Sequence, residues 1–330
     1  MPHPLLCADP ALDHFAPLPH GQLMCFRTFG NPRDPALLLI AGLSLQLVSW
    51  PASWIEAFVQ AGFYVIAPDN RDAGRSGRVA TPPPSKLRML WPGLLPQHHY
   101  SLQDMAQDMS GLLQHLGIAQ AHVLGMSLGG MIAQTLAAQY PAQVLSLVSI
   151  FSTTGQRSVG WPTWAAMRAL SNIPNAHSSE QAQAHYLSLM RTIGDPSVPG
   201  IEDVWRTYAD TAWQRSAGQP TADGVHRQAA AILRSGDRRA QLRTITCPTL
   251  VVHGDQDPVV HLSGGRATAQ AIPGAQLMVV PGMRHQLDDV HGPALCRAIV
   301  QHFQDAAPTA AHRPTHTSIR TAPSPALQVD

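Results

Sequence analysis

The sequence predicts an α/β fold in which a mostly parallel β-sheet is flanked by helices. Short apolar runs alternate with helical patterns along the chain, and several of these runs are apolar at every position. Such a run is typical of a strand that is buried on both faces of a parallel sheet. Alternation of strand and helix is typical of the same architecture. With 330 residues, the chain is long enough to bury a large core without a metal or a disulfide.

Seven apolar runs are the strand candidates: Leu23–Phe29, Ala36–Ala41, Phe63–Ala67, His122–Met126, Val144–Phe151, Thr249–His253 and Gln276–Val280. The helix before the fourth strand is the clearest one. Ser101 and Asp104 match an N-terminal capping box, and apolar residues then recur every three or four positions until Gly117 ends the pattern.

The alternation stops between about residues 155 and 243, where only helical patterns occur. These patterns are Trp161–Asn172, Glu180–Ile193, Ile201–Ser216 and Asp223–Ser235. We predict an α/β core formed by residues 21–155 and 243–305, with residues 156–242 inserted as a helical cap over the C-terminal edge of the sheet. An independent small helical domain is the alternative interpretation.

The ends of the chain and one long loop complete the predicted organisation. Residues 1–20 are expected to form an N-terminal extension. Residues 306–330 are rich in Ala, Pro, Thr and Ser, which predicts a disordered tail. The loop Thr81–His99 is long, and long loops are often functional.

Composition excludes several classes of function. Lys and Arg number 22 against 21 Asp and Glu, and only 13% of residues are charged, so no basic surface is expected to bind nucleic acid. The four scattered cysteines do not match a zinc site or a disulfide framework. The N-terminus lacks the features of a signal peptide, and no apolar run reaches the ~20 residues of a membrane helix. We therefore expect a soluble, cytoplasmic protein without a metal or cofactor, and of unknown oligomeric state.

The strongest candidate for chemistry is the motif Gly125-Met126-Ser127-Leu128-Gly129. It follows a predicted strand and precedes a helical run, and this context is typical of a nucleophile elbow, in which a serine is held in a strained turn. Glycines on both sides leave no Cβ to collide with the neighbouring strand or helix. A tight strand–helix turn with a capping serine is the alternative.

A serine nucleophile needs a base and a group that orients the base. In this kind of fold an acid and then a histidine follow the serine along the chain. Asp257 and His285 follow the sixth and seventh predicted strands, at the edge where sites in open α/β sheets are built. Asp255 is the alternative acid, but the Gly-x-x-Asp spacing favours Asp257. His291 is the alternative base, and its place beside the last helix instead predicts a capping or surface role.

Stabilisation of an oxyanion requires backbone donors. The Leu128 N–H lies at the start of the helix after Ser127, and the Leu43 N–H lies in the loop Ala41-Gly42-Leu43-Ser44 after the second predicted strand. These two amides are the candidate oxyanion donors. The charged stretch 69–76, DNRDAGRS, is instead expected to be a structural turn, held by aspartate–arginine pairing and a bend at Gly74.

The motifs AGLS, DNRDAGRS, GMSLGG, HGDQDP and PGMRH, in this order, resemble the α/β-hydrolase superfamily over roughly residues 21–304. DNRDAGRS and PGMRHQLDDVHGP are similar to the aclacinomycin methylesterase group, whose members hydrolyse a methyl ester on a polyketide aglycone. The resemblance implies that Ser127, Asp257 and His285 form a triad, with Leu43 and Leu128 as oxyanion donors. Arg284 departs from the family pattern, where a small glycine often stands, and its side chain is expected in solvent.

These observations predict a serine hydrolase that cleaves a carboxylic ester through an acyl-enzyme. Tryptophan and methionine in the predicted cap favour an apolar pocket and a small-molecule substrate, such as a methyl or other small-alcohol ester of an apolar acid. A lactonase, a C–C hydrolase or a perhydrolase that uses the same triad is an alternative. A non-enzymatic ligand receptor that retains the hydrolase shell is an alternative of a different class.

Overall fold

A computed structural model describes residues 7–89, 95, 99–171, 174–219 and 221–306. It contains an eight-stranded sheet in the order β1-β2-β4-β3-β5-β6-β7-β8. The strands are β1 His14–Pro17, β2 Leu23–Phe29, β3 Ala36–Ile40, β4 Tyr64–Pro68, β5 Ala121–Met126, β6 Val144–Ile150, β7 Thr249–Gly254 and β8 Gln276–Val280. From β4 to β8 in this order every neighbouring pair is parallel, and the β1–β2 and β2–β4 pairs are antiparallel. The predicted α/β class is confirmed.

The seven predicted strands are present, and their ends differ from the prediction by at most one residue. The structure adds β1, which pairs with β2 and lies inside the segment predicted to be an N-terminal extension. The prediction missed it because only Ala16 of its four residues is buried. An edge strand of this kind has no apolar run to mark it.

Helices cover both faces of the sheet. The α-helices of the described residues, including those of the segment between β6 and β7, are α1 Ala52–Gln60, α2 Lys86–Met89, α3 Leu102–His115, α4 Leu128–Gln139, α5 Trp164–Ser171, α6 Ser179–Ile193, α7 Ile201–Arg215, α8 Ala222–Ser235, α9 Arg239–Leu242, α10 Ser263–Ala271 and α11 Gly292–Asp305. Helices α1 and α11 contribute to one core, and α3 and α4 contribute to the other. Successive residues of β3 alternate between these cores, which explains why its sequence is apolar throughout.

The segment between β6 and β7 contains α5 to α9 and, within the described residues, no strand. Each of the four predicted helices is present, with bounds that differ from the prediction by at most three residues. Helices α5, α6 and α7 share a small apolar core around Trp205, Leu187 and Met190. We refer to residues 156–242 as the cap; its status as a unit separate from the core stays a prediction.

The turn at 69–76 connects the core to the cap. Asp69 pairs with Arg215 of α7 (3.0 Å), and Asp72 pairs with Arg227 of α8 (2.8 Å). Gly74 has φ +53°, and a Cβ there would overlap the Asp69 carboxylate. The aspartate–arginine pairing was expected, but the sequence did not reveal that these two arginines come from the cap.

One predicted segment lies almost wholly outside the described residues, and another lies partly outside them. Of the predicted tail 306–330 only Ala306 is described, and the loop Thr81–His99 includes residues 90–94 and 96–98, which are not described. Within the described ranges every helix is too short or too polar to cross a membrane.

His122 makes the stability of the fold depend on pH. Its ring is buried against Phe63 and Phe303 and lies 2.8 Å from the Ser146 hydroxyl. Burial, with a smaller contribution from His302, lowers its pKa from 6.5 to about 4. Between these values the unfolded chain binds a proton that the folded chain does not, so stability is lost as pH falls from 6.5 towards 4.

We expect His122→Gln to flatten the pH dependence of the free energy of unfolding. The wild-type slope between pH 6.5 and 4 should exceed that of the variant by up to ~1.4 kcal/mol per pH unit. Urea unfolding over this range measures both slopes. Replacement of the exposed His177 by glutamine is the control and should leave the slope unchanged; equal slopes for wild type and His122→Gln would contradict the expectation.

Candidate active site

Ser127 occupies a sharp turn between β5 and α4. Its backbone has φ +55° and ψ −119°, a conformation that non-glycine residues rarely adopt. The Ser127 N–H donates to the Ile150 carbonyl (2.9 Å), and the Ser152 hydroxyl donates to the Ser127 carbonyl (2.9 Å). The strained residue is therefore anchored on both of its backbone polar groups.

The glycines around Ser127 are required by close packing. A Cβ on Gly125 would overlap the carbonyl of Gly129, and a Cβ on Gly129 would overlap the carbonyls of Ile40 and Ala41 at the end of strand β3. These contacts are with backbone atoms, which cannot rotate away. The turn geometry supports the interpretation of this motif as a nucleophile elbow rather than as an ordinary capped turn.

Of the three side chains selected from the sequence, His285 lies in hydrogen-bonding distance of both Ser127 and Asp257. His285 Nε2 is 3.0 Å from Ser127 Oγ, and His285 Nδ1 is 2.8 Å from Asp257 Oδ2. Because the carboxylate can only accept, Nδ1 carries the proton and Nε2 is left to accept from the serine hydroxyl. The Phe151 ring packs against the imidazole with a centroid distance of 4.5 Å.

Asp257 is buried and fully hydrogen-bonded. Its second oxygen accepts from the amides of Val259 (2.8 Å) and Val260 (3.0 Å). Burial alone would raise the pKa of this carboxyl, but the attraction and hydrogen bond of His285, together with the Val260 amide, outweigh burial and hold the pKa below its ordinary value. The group is therefore an anion that faces the imidazole.

The two alternative residues, Asp255 and His291, make other contacts. Asp255 is exposed and accepts from the Gly282 N–H (2.8 Å), which ties its loop to the loop that carries His285. His291 lies at the start of α11, where its Nδ1 contacts Asp288 (3.0 Å).

The candidate oxyanion donors lie on two adjoining segments. Leu128 is the first residue of α4, where a backbone N–H has no partner within the helix. The segment that carries Leu43 approaches closely, since a Cβ on Gly42 would stand 3.5 Å from the Ser127 Cβ. The Gly42 carbonyl accepts from the Leu45 N–H (3.2 Å).

The structure corrects the expectation for Arg284 and adds residues that the sequence did not reveal. Arg284 is only partly exposed and donates to the Thr192 carbonyl in the cap (2.8 Å). His253, one of seventeen histidines, is buried beside Asp257 and bonds to the Val260 carbonyl through Nε2 (2.7 Å). Burial lowers the pKa of His253, which keeps its ring neutral. No motif distinguishes His253 or Phe151 in the sequence.

A cavity of about 1470 Å³ lies between the sheet edge and the cap and is lined by Ser127 and His285. Trp205, Trp213 and Met190 of the cap also line it, as the composition of the cap suggested. The two other tryptophans of the cap, Trp161 and Trp164, are instead 62% and 85% exposed. The cavity is larger than the ~300–1,000 Å³ typical of small-molecule sites.

Comparisons with known proteins agree with this architecture. A family model described as "alpha/beta hydrolase fold" matches residues 35–287. Rhodomycin D methylesterase DnrP of Streptomyces peucetius is 30% identical over 298 residues, which is 84% of this chain and 93% of that protein. 3-Oxoadipate enol-lactonase 2 of Acinetobacter baylyi is 27% identical over 77% of this chain and 84% of its own length. The crystal structure of the enol-lactonase from Burkholderia xenovorans superposes with a TM-score of 0.68 at 22% identity, over 88% of this chain and 100% of that one.

The close packing at Gly129 predicts the effect of a single methyl group. We expect Gly129→Ala to lower the free energy of unfolding by ~3 kcal/mol, because the new Cβ would overlap backbone atoms. Gly111→Ala in α3 is the matched control: its Cβ would meet only the Leu18 and Pro19 side chains, at 3.4 Å or more. Alanine at that helical position should be neutral or stabilise by up to ~1 kcal/mol. Equal effects of the two substitutions in urea unfolding would contradict the packing argument.

Proposed function

This chain belongs to the alpha/beta hydrolase family, and from that membership we propose that it is a serine hydrolase of carboxylic esters with Ser127, His285 and Asp257 as its triad. The observation that carries the proposal is the continuous path from Ser127 Oγ through the His285 ring to the Asp257 carboxylate. This path allows a proton to leave the hydroxyl as the oxygen attacks.

In the proposed reaction, Ser127 Oγ forms a bond to the ester carbonyl carbon while His285 Nε2 takes the hydroxyl proton. The carbonyl oxygen becomes an oxyanion that the amides of Leu43 and Leu128 stabilise. The C–O bond to the alcohol then breaks, and the alcohol leaves with the proton from His285. Water repeats the sequence on the acyl-enzyme and releases the acid. Asp257 stabilises the transient imidazolium by its charge.

For the substrate, we propose an ester of a bulky and largely apolar acid with a small alcohol. A relative named for methylesterase activity and a cavity of about 1470 Å³ with tryptophan and methionine in its lining support this class. Lactone opening is the second candidate, because a relative of similar coverage is named an enol-lactonase. C–C bond hydrolysis and perhydrolysis use the same three residues and are outcomes of the substrate test below. A ligand receptor would not need the path from Ser127 to Asp257.

We expect Ser127→Ala to lower kcat on p-nitrophenyl esters by ~10⁴–10⁶ and to abolish labelling by a fluorophosphonate, because the nucleophile is lost. Ser188→Ala is the matched control, since Ser188 lines the same cavity and has no hydrogen bond to His285. It should retain both activity and labelling. Hydrolysis by Ser127→Ala at the wild-type rate would refute the assignment.

Asp257→Asn should lower kcat by ~10⁴ with little change in KM. The amide cannot stabilise an imidazolium, and it favours the wrong tautomer of His285. Asp255→Asn removes a charge two residues away, on the exposed side of the same loop, and should keep kcat within about threefold. Steady-state kinetics of both variants measures the difference; a larger loss in Asp255→Asn would assign the acid to Asp255.

A substrate panel tests the proposed class. We expect kcat/KM to rise from methyl acetate to methyl esters of two-ring and four-ring arylacetic acids, because only the larger acids bury apolar surface in the cavity. Dihydrocoumarin tests lactone opening, a vinylogous 1,5-diketone tests C–C cleavage, and peroxide-dependent bromination tests perhydrolysis. A preference for one of these over every ester would replace the ester proposal.

A further inference from the structure

The cap is hydrogen-bonded to the segment that carries the candidate oxyanion donor Leu43. Gln228 accepts from the Ser44 N–H (2.8 Å), and the Tyr208 hydroxyl accepts from the Gln46 N–H (3.2 Å). The Gln46 side chain donates to the Ala212 carbonyl (2.9 Å) and accepts from Arg215 (2.6 Å). Segment 42–46 is therefore held by groups from α7 and α8, although it belongs to the core in sequence.

Gln228 uses both ends of its amide in this contact. The side chain is completely buried, its Oε1 accepts from Ser44, and its Nε2 donates to the Arg71 carbonyl (2.8 Å). Ser44 itself has φ +59°, a left-handed conformation that costs free energy for a non-glycine residue. Gln228 therefore accepts from the backbone N–H of Ser44, the residue of segment 42–46 whose backbone is strained.

The peptide that carries the Leu43 N–H lies between two anchored peptides. Before it, the Ala41 carbonyl accepts from the Asn70 side chain (2.9 Å). After it, the Ser44 N–H donates to Gln228. The peptide's own carbonyl, on Gly42, accepts from Leu45. Because N–H and C=O point in opposite directions across a planar trans peptide, these bonds together set the direction of the Leu43 N–H.

We propose that Gln228 is a positioning residue for ester hydrolysis: from the cap, it holds the Leu43–Ser44 peptide so that the Leu43 amide faces the developing oxyanion. This inference rests on the proposed function. It makes the cap a part of the catalytic apparatus as well as a wall of the cavity. Without the bond from Ser44 to Gln228, the Leu43 N–H is still present, but its direction is less well fixed.

The test compares Gln228→Met with Ser235→Ala. Methionine keeps the length and apolar bulk of the side chain and cannot accept from Ser44. Ser235 lies on the same helix, α8, and its hydroxyl accepts from the Leu102 N–H of the core (3.0 Å), far along the sequence from segment 42–46. Gln228→Met therefore loses two hydrogen bonds between α8 and the core, to Ser44 and to Arg71, and Ser235→Ala loses one. Steady-state kinetics on a p-nitrophenyl ester and thermal unfolding are measured for each.

Gln228→Met should lower kcat by ~10–100-fold with KM within about threefold, a smaller loss than complete removal of an oxyanion donor. Ser235→Ala should keep kcat within about threefold. A similar loss of kcat in both variants, a loss confined to KM, or no loss in Gln228→Met would overturn the proposal. The proposed function is tested separately by Ser127→Ala, so an active Gln228→Met beside an inactive Ser127→Ala refutes only the role of Gln228.

Gln228→Glu is a second variant that tests the role of Gln228 if Gln228→Met does not fold. Glutamate retains the acceptor for Ser44 but replaces the donor to Arg71 with a carboxylate oxygen, which destabilises the fold without removing the bond to Ser44. Its kcat should therefore stay within about tenfold of wild type. A fall as deep as that of Ser127→Ala would overturn the proposal. Failure of both variants to fold, with Ser235→Ala folded, would make Gln228 a purely structural residue and would also overturn it.

Discussion

The sharp turn at Ser127 is the constraint on which the rest of the site depends. Ser127 at φ +55° has its hydroxyl 3.0 Å from His285 Nε2, and this backbone conformation persists only where the surroundings stabilise it. The parallel strands on either side supply that support, since the Ser127 amide bonds to the end of β6 and Gly129 packs against the end of β3. Asp257, His285 and the segment that carries the candidate oxyanion donor Leu43 all lie at this same edge, so the fold brings together residues that are far apart in the sequence.

The cap contributes to the site through hydrogen bonds as well as through the walls of the cavity. Helices α7 and α8 hold segment 42–46, and the end of α6 holds the loop after β8, where the His285 N–H donates to the Ile193 carbonyl (3.2 Å). The Asp69–Arg215 and Asp72–Arg227 ion pairs are buried, so breaking either one leaves an uncompensated charge and is costly. A cap attached in this way couples the shape of the cavity to the geometry of the loops that carry the candidate catalytic residues.

The sequence predicted the elements whose positions follow from local pattern. Apolar runs indicated β2 to β8. The glycines around Ser127 indicated a tight turn, because a residue with a Cβ would not fit there. Asp257 and His285 could be selected because each follows a parallel strand. The edge strand β1 lacked such a pattern, with one buried residue in four. The contacts of Gln228, Arg215 and Arg227 could not be predicted. They form only when the cap folds onto the core, and no residue spacing in the sequence indicates them.

A nucleophilic Ser127 must carry the acyl group during turnover. Rapid mixing of the wild-type protein with p-nitrophenyl acetate, an acid quench and peptide mass mapping test it directly. We expect a burst of p-nitrophenol that matches the enzyme concentration and an acetyl group on the side chain of Ser127. Continued turnover with the acetyl group on a different residue, or with no acylated peptide at any quench time, would contradict it.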